Sequence, residues 1–446
     1  MDHFHREGAD SGGDLCVEGV ALRAIAEAVG TPTYVYSRAT LERHYRVMDR
    51  ALAGLPHTIC YSVKANSNLA VLGVLARLGS GFDIVSVGEL ERVLRAGGSA
   101  DKVVFSGVGK RDDELRRALE VGIRAFNVES AFELERLEAV AADLGQRAPV
   151  SLRVNPDVDP GTHPYIATGL RSSKFGVPMP EALPLFLRAA QSPHLRVVGV
   201  DCHIGSQIVE IAPLVDALDR VLGLVDRLAA HGVTLDHVDM GGGLGIPYRD
   251  EAPAPPEALG RAFAERLSPR GLELIVEPGR LIVGNAGVLL MRVLGVKGGA
   301  APEPSDDPAA QATTRFVIVD AAMNDNIRPA LYGAWQAIEP VASEVFDRGE
   351  LPPVAVVGPI CESGDFFARA RPLPPLRRDD LLVMRSAGAY GFSMASTYNS
   401  RPRAAEVLVE GDRFAVVRRR EELAALWADE RDLALFEAAL RSPHPT

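Results

Sequence analysis

Several features that mark other classes of protein are scarce in this 446-residue sequence. No apolar run reaches the roughly 20 residues that a membrane helix needs, and the polar start MDHFHREGAD lacks the apolar core of a secretory signal. The four cysteines, Cys16, Cys60, Cys202 and Cys361, form no CxxC pair, which argues against a disulfide framework or a zinc site. These absences predict a reduced, cytoplasmic protein with no membrane partner and no metal site.

An excess of positive charge is also missing. The chain carries 48 Lys and Arg against 59 Asp and Glu, a net charge of −11, which disfavours nucleic acids and anionic membranes as partners. Any anionic ligand must therefore be bound by a local concentration of basic side chains. The length is typical of two domains, and 47% apolar with 24% charged residues is ordinary for a globular protein.

Short apolar runs alternate with segments of helical periodicity between residues 58 and 277. Eight runs are predicted strands: Thr58–Val63, Phe82–Val85, Val103–Phe105, Ala125–Val128, Val150–Val154, Val197–Cys202, His237–Met240 and Leu272–Val276. Four of the intervening segments are predicted helices: Asn68–Leu78, Ala131–Leu144, Ile211–Ala230 and Glu257–Leu267. Eight strand–helix units favour an α/β fold with a parallel (β/α)8 barrel of the TIM type, and a doubly wound open sheet is the alternative.

The pattern changes after residue 285. Six β-rich runs predict a second, mostly β, barrel-like domain: Val288–Val296, Phe316–Val319, Val354–Val357, Leu381–Met384, Ala405–Val409 and Arg413–Val417. We expect the barrel to span residues 38–285 and the second domain to combine residues 1–37 with 286–446. The Pro- and Asp-rich insertion Gly298–Thr313 predicts a mobile surface loop, and Glu421–Leu440 has the pattern of a helix.

Reactive side chains lie at the predicted carboxyl ends of the barrel strands, where active sites of such barrels form. Lys64 follows the first strand, Asp83 lies in the second, His203 follows the sixth and Glu277 follows the eighth. A lone lysine is usually a surface residue. A lysine inside a barrel mouth is different, because desolvation is expected to lower its pKa and make its amine a nucleophile for a Schiff base.

Other strand ends fit an anionic cofactor with an aromatic ring. The turn Gly241–Gly245 does not match the dinucleotide fingerprint, since residue 246 is Ile, but its backbone is suited to a phosphate. Ser206 and Arg280 offer further donors. Glu277 is either a solvated carboxylate or the acidic partner of a pyridine nitrogen, and His203 is either a core histidine or a ring that stacks on the cofactor.

The second domain contributes three more polar stretches. NDNIRPALY (324–332) places Arg328 and Tyr332 four residues apart, CESGD (361–365) joins a thiol to two carboxylates, and GAYGFSM (388–394) contains Tyr390. Arg280 and Arg328 both have the planar guanidinium that binds carboxylates through two hydrogen bonds. A buried small residue is the ordinary interpretation of Cys361.

These motifs, taken in order along nearly the whole chain, resemble the diaminopimelate decarboxylases, a family of the alanine-racemase-like (fold-type III) pyridoxal-phosphate enzymes. The matching stretches are YSVKAN (61–66), the run from Asn155 to Val177, HIGSQ (203–207), GGGLGIPY (241–248), EPGR (277–280), NDNIRPALY (324–332), CESGD (361–365) and GAYGFSMASTYNSRPR (388–403). Each motif is weak alone, whereas the ordered set is specific.

The resemblance implies pyridoxal 5'-phosphate as cofactor and a role for each matching residue. Lys64 would hold the cofactor covalently and Cys361 would donate the proton that replaces the carboxylate. The implied cofactor-binding residues are Lys64, Asp83, His203, Ser206, Gly242, Gly243, Glu277, Gly279, Arg280 and Tyr390. The implied substrate-binding residues are Arg280, Arg328, Tyr332, Glu362 and Tyr390.

The family resemblance further implies a homodimer with shared active sites, because Cys361 and Glu362 then enter the site of the other subunit. The expected reaction is decarboxylation of meso-2,6-diaminopimelate to L-lysine in lysine biosynthesis. The nearest alternative is a sister decarboxylase of ornithine, lysine, arginine or a carboxy-polyamine. A non-catalytic relative and a racemase are the alternatives of other classes. Lys64, Glu277 and Cys361 argue against the non-catalytic relative. A racemase would need a second base, for which Tyr390 is the candidate, but the CESGD stretch favours decarboxylation.

Overall fold

A closed ring of parallel strands forms the larger part of the molecule. The computed structural model describes residues 2–7, 13–162, 168–169, 173–298, 315–349, 353–434 and 436–437. Its eight barrel strands are His57–Ser62, Gly81–Ile84, Val103–Phe105, Ala125–Val128, Ala148–Asn155, Leu195–Asp201, His237–Asp239 and Glu273–Val276. Each strand pairs in parallel with the next, and the last pairs with the first, Ile275 lying opposite Thr58. The (β/α)8 barrel is confirmed, and the open sheet is wrong because the ring has no edges.

Helices surround this ring. Those that flank the strands are Arg38–Leu52, Leu69–Arg77, Val87–Arg95, Asp112–Val121, Ala131–Asp143, Met179–Gln191, Ala212–Ala230 and Pro256–Leu267. The four predicted helices are confirmed to within two residues at each end. Several begin at a capping side chain, as where Ser86 accepts a hydrogen bond from the Glu89 N–H and Ser130 accepts one from the Glu133 N–H. No helix in the described part of the chain is long and apolar enough to cross a membrane.

The second sheet is built around one long strand, Gly287–Lys297. The path of paired strands is Phe366–Arg371, Val354–Val357, Phe316–Val319, Gly287–Lys297, Thr33–Ser37, Ala405–Glu410 and Arg413–Arg418, and Leu381–Met384 links Ile338–Pro340 to the long strand. All six predicted β-rich runs are therefore strands. Thr33–Ser37 lies between two of them, so a segment that precedes the barrel in sequence pairs with strands that follow it.

Two predictions concern segments outside these sheets. The predicted loop Gly298–Thr313 lies, apart from its first residue, outside the described residues. The predicted helix Glu421–Leu440 is wrong over residues 421–432, where Leu423–Leu426 forms only a 3-10 turn. Leu423 and Trp427 are more than half exposed, so the apolar stripe has no surface to pack against and helical spacing alone does not stabilise a helix.

Backbone contacts join the second domain to the loop that carries the predicted reactive lysine. The Tyr390 N–H donates to the carbonyl of Ala65 at 2.8 Å, and the side-chain amide of Asn66 donates to the carbonyl of Gly388 at 3.1 Å. The Ser393 hydroxyl also donates to the Ala65 carbonyl, at 3.2 Å. The Tyr390 loop is thereby fixed beside the first barrel strand.

Candidate active site

Lys64 lies in a single 3-10 turn, Val63–Ala65, immediately after the first barrel strand. Its Nζ is 2.5 Å from Oδ2 of the fully buried Asp83, which also accepts a hydrogen bond from the Ser62 hydroxyl. Burial disfavours the ammonium, but Asp83 and Glu277 outweigh it, so the pKa of Lys64 is raised above its ordinary value. The expected lowering of this pKa by desolvation is therefore wrong for the chain alone, because the sequence placed Asp83 and Glu277 at the same end of the barrel but not their distances from the amine.

Glu277 forms a cluster with two further buried carboxylates, Asp201 and Asp239, which we call the acidic floor of the barrel. One oxygen each from Asp201, Asp239 and Glu277 lies within 4.8 Å of the other two. Burial raises the pKa of Glu277 well above its ordinary value, and Asp239 and Asp83 raise it further. The same causes raise the pKa of Asp201. Since adjacent buried carboxylates repel one another when ionised, these groups hold their protons to higher pH than they would in water.

The imidazole of His203 borders the floor. Its Nδ1 accepts a hydrogen bond from the Gly242 N–H at 3.2 Å. Burial lowers the pKa of His203 well below its ordinary value, and Arg153 and Lys64 lower it further, so the ring is neutral. A Cβ on Gly241 would lie 2.6 Å from Nδ1, which explains glycine at that position. A neutral, flat ring is thus held against the cavity.

The glycine-rich turn approaches neighbouring backbone too closely for side chains. A Cβ on Gly242 would lie 2.3 Å from the Glu277 carbonyl oxygen, and one on Gly243, whose φ is +112°, would lie 2.6 Å from the Gly205 carbonyl oxygen. Both glycines and Gly279 line a small enclosed cavity next to Lys64. The turn therefore leaves room beside the lysine that larger residues would occupy.

Two arginines form the opposite wall. Arg280 donates from Nη2 to the Ser206 hydroxyl at 3.1 Å and from Nη1 to the Tyr248 hydroxyl at 2.5 Å. Arg328 donates from Nη1 to the same Tyr248 oxygen at 2.7 Å. A cavity of about 380 Å³ joins this wall to Lys64, and its lining includes Lys64, His203, Ser206, Arg280, Arg328, Tyr332 and Tyr390.

Some cavity residues were not predicted to have a role. Tyr248, Phe175 and Trp335 line the large cavity, although no role was assigned to them from sequence. Tyr248 closes the quoted motif GGGLGIPY, so its position next to the phosphate-suited turn was the available signal. The floor carboxylates Asp201 and Asp239 gave no such signal, because they come from different strands and carry no recognisable spacing.

Tyr390 reaches the cavity from the second domain. Its backbone has φ +57°, an uncommon conformation for a residue other than glycine, and its N–H is fixed by Ala65. The guanidinium of Arg280 lies over its ring at 5.0 Å. The structure thus brings Tyr390 to the predicted site.

Cys361 and Glu362 are not brought there within this chain. Both are exposed, and neither lines the two cavities that contain Lys64. Their loop is ordered by Asp365, whose two oxygens accept from the N–H groups of Met323 and Ile360, at 2.7 Å each. The buried-residue interpretation of Cys361 is excluded, and its thiol faces outward on a fixed loop.

This chain is similar to known pyridoxal-dependent decarboxylases. Residues 38–284 match the family model "Pyridoxal-dependent decarboxylase, pyridoxal binding domain". The chain is 58% identical to the diaminopimelate decarboxylase of Pseudomonas aeruginosa, over 96% of this chain and 99% of that one, and 54% identical to that of Vibrio cholerae, over 96% and 99%.

Solved structures of diaminopimelate decarboxylases are also similar to this chain. The structure of diaminopimelate decarboxylase from Helicobacter pylori complexed with L-lysine has a TM-score of 0.86 at 41% identity, covering 92% of this chain and 99% of that one. A lysine/ornithine decarboxylase from Vibrio vulnificus, complexed with putrescine, is less similar, with a TM-score of 0.75 at 25% identity over 87% and 97%. The chain belongs to the diaminopimelate decarboxylase family of pyridoxal-dependent decarboxylases.

Proposed function

We propose that this chain decarboxylates meso-2,6-diaminopimelate to L-lysine and carbon dioxide with pyridoxal 5'-phosphate, the last step of lysine biosynthesis. The observation that carries the proposal is one cavity that is lined by a lysine, Lys64, and by two arginines, Arg280 and Arg328. Arg280 and Arg328 have no carboxylate partner among the described residues, so the wall can bind a substrate carboxylate.

The residues around Lys64 fit the cofactor. His203 is neutral and can pack on an aromatic ring, and the glycines 242, 243 and 279 leave space beside Ser206 for a phosphate. Oδ1 of Asp83 and Oδ2 of Asp239 are buried without a hydrogen-bond partner in the described structure, so the floor favours an added positive group. Glu277 would pair with the pyridine nitrogen, and Lys64 would hold the cofactor covalently.

Once bound, the cofactor supplies an electron-accepting ring for the electron pair that the departing carboxylate leaves behind. The chain does the rest by positioning. Arg280, Arg328 and Tyr332 would bind the carboxylate that the product retains, and Tyr390 would contact cofactor and substrate. Glu277, as an anion opposite a protonated ring nitrogen, would keep that proton in place.

Replacement of the lost carboxylate requires a proton on the α-carbon. We assign it to the Cys361 thiol of a partner subunit, with Glu362 of the same loop binding the distal end of the substrate. The exposure of both side chains and their absence from the cavities of this chain support a homodimer with shared sites. A cytoplasmic location belongs to the same proposal, supported by the free thiols of all four cysteines.

The reaction is tested by incubating the purified protein and the cofactor with meso-diaminopimelate. We expect equimolar carbon dioxide and L-lysine, measured by gas evolution and chromatography. The same assay with ornithine, lysine and arginine tests the sister decarboxylases. Faster decarboxylation of any of these than of diaminopimelate would overturn the assignment. Each of these amino acids has only the carboxylate that is lost, so it has none left to bind to Arg280 and Arg328.

The shared site is tested by mixing two inactive variants. Lys64→Ala and Cys361→Ala are each expected to be inactive, whereas a dimer with one copy of each has one site with both residues intact. Unfolding and refolding an equal mixture should restore about one quarter of the wild-type activity, since half of the dimers are hybrid and half of their sites are complete. No recovery in a mixture that sizes as a dimer would exclude the shared site.

A further inference from the structure

Tyr248 is held in a fixed place in the lining of the large cavity. It follows the glycine-rich turn and precedes the helix Pro256–Leu267. Its backbone N–H donates to Oε2 of Glu251 at 2.9 Å, and the Arg249 N–H donates to the same oxygen at 2.7 Å. A carboxylate that accepts two backbone donors fixes the turn on which the phenol ring is mounted.

The phenol oxygen is the point where the two arginines meet. It accepts hydrogen bonds from Arg280 at 2.5 Å and from Arg328 at 2.7 Å, and both guanidinium groups lie over the ring, at 5.7 Å and 5.3 Å from its centroid. Two like charges this close repel each other unless an acceptor lies between them. Tyr248 is that acceptor, and it fixes the spacing of the pair.

Charge and burial agree with this role. Burial opposes ionisation of the phenol, but the two guanidinium groups outweigh it, so the pKa of Tyr248 is lowered. The Nε atoms of Arg280 and Arg328 are buried without a hydrogen-bond partner among the described residues. Both cations therefore keep donors for an incoming anion while the phenol holds their orientation.

We propose that Tyr248 is a positioning residue for substrate recognition: its hydroxyl oxygen holds Arg280 and Arg328 in the geometry that binds the carboxylate retained in the product. This inference rests on the proposed function for the identity of the substrate. It makes the Tyr248 hydroxyl a requirement for substrate binding, although Tyr248 acts through the two arginines and need not contact the substrate.

The test uses Tyr248→Phe in the holoenzyme, which removes the oxygen and keeps the ring. One shared acceptor of two charged donors is lost, so KM for diaminopimelate should rise roughly 10- to 100-fold while kcat changes less than about threefold. The inhibition constant of L-lysine, which has the retained carboxylate, should rise by the same factor. That of pentane-1,5-diamine, which has no carboxylate, should not change.

A matched control and a double variant separate positioning from general damage. Tyr45→Phe removes a phenol oxygen from the helix Arg38–Leu52, outside both cavities, and should leave KM, kcat and both inhibition constants unchanged. Tyr248→Phe combined with Arg328→Lys should weaken lysine binding by less than the product of the single effects, because both changes disrupt one unit. The visible absorption of the bound cofactor should be the same in every variant.

Four results would overturn the inference: an unchanged KM, equal weakening of the diamine and of lysine, full additivity in the double variant, or loss of cofactor absorption in Tyr248→Phe. Each is distinguishable from failure of the proposed function. If wild-type protein decarboxylates diaminopimelate and Tyr248→Phe binds lysine as tightly, only the positioning role fails. If wild-type protein does not act on diaminopimelate, the proposed function fails, and the inference fails with it.

Discussion

The barrel and the second domain present their reactive groups in opposite ways. The barrel encloses Lys64 beside Asp83, above a buried acidic floor, in a cavity of its own chain. The second domain holds Cys361 and Glu362 on an ordered loop that faces outward. On the proposed function, one chain builds the cofactor site by itself, whereas Cys361 would reach a substrate only in the cavity of a partner subunit. Cofactor binding and proton delivery should therefore be separable by mutation.

The largest effect is expected on the barrel side. Lys64→Ala removes the amine that we propose holds the cofactor, so kcat should fall by roughly 10³-fold or more. The visible absorption of the cofactor bound to lysine should disappear, as measured by spectrophotometry. Lys297→Ala changes an exposed lysine at the end of a long strand and should retain both activity and absorption. Full activity of Lys64→Ala would refute a covalent role for this lysine.

The next effect should appear on the second-domain side alone. Cys361→Ala removes the assigned proton donor, and we expect kcat to fall by roughly 10²- to 10³-fold, the usual contribution of a positioned general acid. Cofactor absorption should stay at the wild-type level, since Cys361 touches no part of the barrel cavity in its own chain. If Cys361→Ala instead lost the visible absorption of the cofactor, cofactor binding and proton delivery would not be separable by mutation.

The sequence predicted the site well where a reactive side chain directly follows an apolar strand. Lys64 and Glu277 each follow an apolar strand, so predicting the strands also placed both side chains at the same end of the barrel. The ring then determined the neighbours: Leu274 pairs with His57, and this brings the eighth strand beside the first. The cavity around the lysine was therefore predictable in outline.

The remaining features depend on contacts between distant segments. The pKa of Lys64 depends on Asp83, whose distance from the amine no sequence pattern encodes, and the expected direction was wrong for that reason. The proposed role of Tyr248 depends on Arg280 and Arg328, which lie far from it and from each other in the sequence. The helix predicted from Glu421 onward was wrong for a different reason. Its apolar residues have helical spacing, but no other part of the described structure covers their side chains.

A smaller effect tests how closely the barrel site is packed. Gly243→Ala should reduce the affinity for the cofactor roughly tenfold or more, because its Cβ would lie 2.6 Å from the Gly205 carbonyl oxygen and displace the turn. Gly122→Ala is the matched control: its φ is also positive, at +72°, but no atom lies within 4 Å of the new Cβ. Both variants should lose about 1 kcal/mol of stability from backbone strain, and only Gly243→Ala should release cofactor on dialysis.

The smallest effect concerns the acidic floor and is measured without cofactor. Burial raises the pKa of Asp239 from 3.8 to about 6, and Asp83 contributes in the same direction. The folded chain therefore binds a proton that the unfolded chain has lost, and the free energy of unfolding falls as pH rises from about 4 through about 6. We expect the Tm of the cofactor-free protein to drop by roughly 2–5 °C over this window in calorimetry.

Asp239→Asn should reduce that drop, because the amide keeps the shape of the carboxyl and cannot ionise. Asp236→Asn, on an exposed side chain only three residues away, should leave the drop as in wild type. Asp201 and Glu277, whose pKa values are also raised by burial, continue to titrate, so part of the pH dependence should persist in Asp239→Asn. An identical Tm profile for the two variants would mean that the floor does not store the proton at Asp239. In that case the other buried carboxylates of the barrel would be the groups that favour binding of a positively charged cofactor ring.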